Sequence, residues 1–144
     1  MKTFFGRTVA LALTCTAAMP VSSTEPDRGS WFFVAGTKKL SAFIDVNSVK
    51  RVDDYAVVHK LFNYKIVQFS EEGVPYLSTR SLNFFDCDTR QSSMFKLTLY
   101  PELWAGGEVV KEMDLKIPWL DVPSGSVVEG IMESACDGVE VKGI

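Results

Sequence analysis

Apolar residues gather first into short β-branched and aromatic runs, and only near the end of the chain do they take a helical spacing. Trp31 to Ala35 is the first such run, and Gly36, Thr37, Lys38 and Lys39 close it as a turn. Ala42 to Val46 reads as the returning strand of a hairpin, with Asp45, Asn47 and Ser48 supplying side-chain acceptors for the exit turn. Tyr55 to Phe69 is the longest candidate, a central strand buried on at least one face, and Glu71, Glu72, Gly73 and Pro75 stop it. Tyr76 to Cys87 alternates imperfectly. Arg90 to Tyr100 alternates well, with Met94, Lys96 and Thr98 on one parity and Phe95, Leu97 and Leu99 on the other, and Gly107 to Met113 is a weaker last strand. About six strands that follow one another closely predict an antiparallel meander.

The period then changes. Ser126 with Glu129 three residues on forms a capping box, in which hydroxyl and carboxylate each satisfy a free backbone N–H, so a helix starts there. Val127, Ile131 and Ala135 are spaced by four, as are Val128 and Met132, and together they make one apolar stripe that needs a sheet face. Glu129, Glu133 and Ser134 are expected to face water. The fold class is therefore α+β, an antiparallel sheet of about six strands with a C-terminal helix on one face.

The start of the chain has another purpose. Lys2 and Arg7 precede a stretch from Thr8 to Thr24 that carries no charge and is most apolar from Val9 to Leu13. A membrane span needs roughly 20 mostly apolar residues, whereas basic, apolar and then small residues in this order match a secretory leader over residues 1–23. Cleavage is placed after Ala18 or Ser23. Either cut removes two basic residues and no acid, leaving 13 basic against 18 acidic residues. Cys15 offers a lipid-anchor reading, but Thr14 stands where that signal needs a small residue. Residues 24–30 form a polar lead-in, the domain runs over 31–136, and 137–144 is a tail. The mixed, mildly acidic charge gives no electrostatic reason to bind nucleic acid.

Without the leader, Cys87 and Cys136 remain, and an even pair in an exported chain reads as a disulfide tying the helix end to a strand. The alternative is a thiol enzyme in which His59, the only histidine, activates Cys87. No metal-ligand spacing, phosphate loop, nucleophile elbow or cofactor motif is present, so no metal and no cofactor is expected.

Several short motifs in order carry a family resemblance. They are Trp31 opening the first strand, Phe43-Ile44-Asp45-Val46-Asn47-Ser48-Val49, Asn63-Tyr64-Lys65, Asp86-Cys87 with Arg90 after it, and Val122-Pro123-Ser124-Gly125-Ser126 before a helix ending at Cys136. Residues 31–136 thereby resemble the surface-adhesin protein E family, small exported bacterial domains. The departures are His59, where many relatives have Trp, and Phe85 before Asp86-Cys87. The resemblance implies a six-stranded antiparallel sheet with an attached helix, a disulfide at these two cysteines, a homodimer, and a non-catalytic domain binding extracellular-matrix or envelope proteins. It places the protein in the periplasm or on the outer surface, with a structural envelope role as the alternative. It carries over no binding residues.

The residues themselves suggest Trp104, Arg80, Arg90 and Lys96 as partner contacts, Trp104 because Ala105-Gly106-Gly107 sets it beside a loop. Asp45 and Asp86 stand at strand ends, where Asp accepts backbone hydrogen bonds rather than doing acid–base chemistry.

Overall fold

The computed structural model describes residues 28–138, so the leader, Cys15 and the last part of the tail lie outside the described residues. Among the described residues eight antiparallel strands form one sheet: β1 (Trp31–Gly36), β2 (Leu40–Asp45), β3 (Lys50–Val52), β4 (Tyr55–Phe69), β5 (Pro75–Asp86), β6 (Gln91–Tyr100), β7 (Lys111–Asp114) and β8 (Leu120–Asp121). The main order is β1-β2-β4-β5-β6-β7, which is the expected meander. The two short strands are additions. β3 pairs with the start of β4 beyond the end of β2, and β8 pairs with the start of β6. The last long strand starts at Lys111, later than expected. Gly107 first turns the chain at φ 80, where an added Cβ would lie 2.6 Å from Pro101 Cγ.

One helix, α1 (Val127–Asp137), covers part of one sheet face. Cross-strand neighbours point to the same side, and the register pairs Ile44 with Lys60 and Ala42 with Phe62. Ala42, Ile44, Ala56, Val58 and Phe85 thus share the face on which Ile131, Met132 and Ala135 of the helix are buried. At 11 residues the helix is too short to persist alone in water, so this burial is what holds it. The capping box is displaced by one residue. Ser126 Oγ accepts the Glu129 N–H at 3.2 Å, but the Glu129 carboxylate accepts from Gly125 N–H at 2.6 Å. Nor do all three expected polar positions face water. Glu129 is half-buried with Arg90 Nη2 2.6 Å away, and the Ser134 hydroxyl donates to the Gly130 carbonyl. Only Glu133 of the three is exposed.

The Cys87–Cys136 disulfide ties the helix end to the sheet, with Cα atoms 5.8 Å apart. Arg51 Nη1 donates to Cys87 Sγ at 2.6 Å and to the Cys136 carbonyl at 3.0 Å, which satisfies one of the carbonyls that a helix end leaves free. With both sulfurs in the bridge there is no Cys87 thiol for His59 to activate.

A bulge between Leu82 and Asn83 corrects the parity read for β6. Lys96 opposes Leu82, but Met94 opposes Asn83, so Phe95 is skipped and Met94 joins Leu97 and Leu99 on the helix side. The long central strand is also less buried than expected. β2 ends its pairing at Leu40↔Tyr64, so the rest of β4 runs past it as a free hairpin on which Ile66 is 68% and Phe69 66% exposed.

Candidate partner-binding face

The sheet face away from α1 is built by register. Phe43, Leu61, Arg80, Thr98 and Glu112 follow one another across β2, β4, β5, β6 and β7, and His59, Leu82, Lys96 and Asp114 make the adjoining row. Side chains of directly opposed residues stand within about 5.5 Å at Cβ, so these two rows concentrate charge in one patch. A cavity of about 170 Å³ opens there among His59, Arg80, Lys96, Thr98, Tyr100 and Glu112.

The charges in this cavity are unequally compensated. Lys96 Nζ lies 2.7 Å from Glu112, whose hydrogen bond holds the ammonium above the ordinary lysine value. Burial, reinforced by the charge of Arg80, lowers the His59 pKa, so the ring is neutral at pH 7. Arg80 is different. Its guanidinium stands 5.7 Å from the Trp31 ring centroid, its Nε is buried without an acceptor, and among the described residues no carboxylate pairs with it. A buried donor left without an acceptor costs about 1–3 kcal/mol.

Trp104 lies on the same side, further along the strands. Its ring is 4.6 Å from that of Phe43, and the Arg28 guanidinium is 4.9 Å from its centroid. The loop that carries it folds back over the sheet instead of standing free. Trp104 N–H donates to Asn63 Oδ1 at 2.9 Å and Ala105 N–H to Ser78 Oγ at 3.0 Å. Those two bonds hold a pair of non-glycine residues at φ 62 and 57, a conformation that costs energy for each. Trp104 is thus half-buried, and Leu61 beneath this region is fully buried.

Of the four residues suggested by sequence, Arg80, Lys96 and Trp104 share this face, and Arg90 does not. Arg90 sits in the β5–β6 turn and reaches back to the helix, 2.6 Å from Glu129 and 3.8 Å from Glu133. Asp45 and Asp86 serve their turns, accepting from Asn47 N–H and from Asp88 and Thr89 N–H respectively, and hydrogen bonding to Thr89 lowers the Asp86 pKa. Trp31 is legible in the sequence only as the opening of a strand, and its place beside Arg80 has no local signal. No group of three or more His, Cys, Asp or Glu residues placed to hold a metal occurs among the described residues. No described helix is long and apolar enough to cross a membrane.

The description of the surface-adhesin protein E family matches residues 31–137. The chain belongs to this family. Its fold is that of Haemophilus influenzae protein E, with TM-score 0.60 at 14% identity over 76% of this chain and 86% of that one. A second crystal form of that protein gives TM-score 0.63 at 13% identity, covering 76% and 89%. The structure from a non-typeable Haemophilus influenzae strain gives 0.54 at 14% identity, covering 73% and 75%. A comparison with curated proteins gives no match. At these identities the surface-adhesin protein E members share a backbone, and their contact residues do not transfer.

Proposed function

We propose that this protein is an exported, non-catalytic binding domain whose helix-free sheet face receives a protein partner, with Arg80 as the central contact. The observation that carries this reading is the Arg80 side chain, laid against Trp31 with a buried Nε lacking any acceptor and no carboxylate beside it. An arginine held beside an indole, half-buried and without a carboxylate of its own, is pre-organised for a carboxylate or a carbonyl from outside the chain. Lys96 is already neutralised by Glu112, so it flanks the contact and tunes approach. Membership of a surface-adhesin family supports extracellular-matrix, serum or envelope proteins as the class of partner and supports the outer surface over the periplasm as the place of action.

The test immobilises such proteins and measures saturable binding of the disulfide-intact domain and two variants. Arg80→Gln removes the charge at the open face and is expected to weaken binding by about tenfold or more, the loss usual for a desolvated arginine anchor. Arg90→Gln, whose side chain is already held by the helix, is expected to leave the affinity unchanged. Equal binding by wild type and Arg80→Gln, or no saturable partner in any of the three classes, contradicts the reading.

A further inference from the structure

On the other side of the sheet a lysine stands where the pattern calls for an apolar residue. Lys60 lies between Ile44 and Ser81 in one cross-strand row, on the face that carries the core under the helix. It is 8% exposed, and its Nζ sits 4.4 Å from the Phe62 ring centroid. Among the described residues it has no carboxylate partner and no hydrogen bond. Burying an ammonium in this way is costly unless an anion meets it.

Open space adjoins it. A cavity of about 170 Å³ is lined by Lys60, Thr79 and Ser81 at the polar end and by Phe62, Met94, Leu97 and Leu99 along its walls. A second, of about 220 Å³, shares Tyr76, Leu97 and Leu99 with the first and continues past Met113 to Phe69 and the Lys111–Glu72 pair. The two make one trough with a cation at the inner end, apolar walls, and charge again only at the far end. Strands β4, β5 and β6 form its floor at the Lys60 end and are interior to the sheet there, so that end offers no free edge to a peptide backbone. A single uncompensated cation matches a singly charged head better than a phosphate dianion.

We propose that this trough is a ligand site for an alkyl carboxylate of medium chain length, its head on Lys60 Nζ and its chain along Phe62, Leu97 and Leu99. Thr79 and Ser81 flank the head, and Met94 and Met113 supply unbranched, adaptable walls to the chain. Concave, mostly apolar, with a few convergent polar groups, the site has the composition that small-molecule pockets share. This inference is independent of the partner-binding reading, because it uses the opposite face.

Octanoate is the probe, titrated into the full exported chain while methyl resonances are followed by NMR. Saturable shifts are expected at Met94, Leu97 and Leu99. 1-Octanol, which keeps the chain and loses the charge, and butyrate, which keeps the charge and loses the chain, are expected to bind about tenfold more weakly or worse. Lys60→Met is expected to abolish the octanoate response, its own spectrum reporting that it is folded, and Arg80→Gln to leave the response unchanged. The proposal is overturned by octanol matching octanoate, by an undiminished response in Lys60→Met, or by shifts confined to Ile66 and Val67 on the exposed hairpin.

Discussion

Replacing Cys87 and Cys136 together by serine is expected to lower the stability of the domain by about 4 kcal/mol, the value that the chain-entropy account gives for a loop of this length. The two residues are 49 apart in sequence, so the bridge removes a large loop's worth of freedom from the unfolded chain. The consequence is concentrated at the helix. α1 follows a short turn through Pro123 and Gly125, and of its own residues only Ile131, Met132 and Ala135 are buried. Without the bridge its undocking would uncover Ala56, Val58 and Phe85. A guanidinium titration followed by far-ultraviolet circular dichroism checks this. The double variant should unfold at a markedly lower midpoint, with the helical signal lost first. A loss below about 1 kcal/mol would show that packing alone holds the helix, since that is the scale of an ordinary surface change.

The second large effect has the opposite sign. Lys60→Met is expected to stabilise the folded domain by about 3 kcal/mol at neutral pH, because a tenfold change in proton affinity between the folded and unfolded chain corresponds to about 1.4 kcal/mol. Burial pulls the Lys60 ammonium down from 10.5 to about 8. The folded chain therefore gives up this proton more readily than the unfolded one. Below pH 8 both states are protonated and the penalty is complete. Between 8 and 10.5 the folded amine is neutral while the unfolded one is still charged, so wild-type stability gains on that of the variant as pH rises. Methionine keeps most of the length and the unbranched apolar stem of lysine without the charge, so the gap between the two proteins should be widest below pH 8 and close by about 10.5. Paired denaturation curves across this window measure it, and groups that titrate in both proteins cancel. A destabilised variant, or a gap that does not change with pH, would mean that the ammonium is well solvated or paired.

The long strands and the helix can be read from the sequence because each carries its own signal: alternation in Arg90 to Tyr100, a dense β-branched run at Val57 and Val58, and Ser126 three residues before Glu129. The disulfide is readable from cysteine arithmetic. β3 and β8 are not, because strands of three and two residues exist only through pairing with β4 and β6. The face assignments depend on a bulge. Once Phe95 is skipped, Met94 leaves the side of Lys96 and Thr98 for that of Leu97, and no local feature announces this. Composition alone groups Arg90 with Arg80. The chain turns between Asp86 and Gln91, and the arginine at its tip finds two glutamates on the helix instead. Lys60 has a usable signal, since it shares parity with Ala56, Val58 and Phe62, all of which pack into the core or against it. A charged residue in an apolar register is a better sign of function than an exposed one, because burial has to be offset by something.

The Nε–H resonance of Arg80 is the most direct witness to the open face as the partner's seat. In the free domain this proton has no acceptor. On addition of a saturating matrix, serum or envelope protein that the domain captures, it should move downfield and exchange more slowly with water, while the Arg90 Nε–H stays where it was. An Arg80 signal that does not move when the complex forms, with changes appearing at Arg90 or along the helix, would place the contact elsewhere and contradict the account.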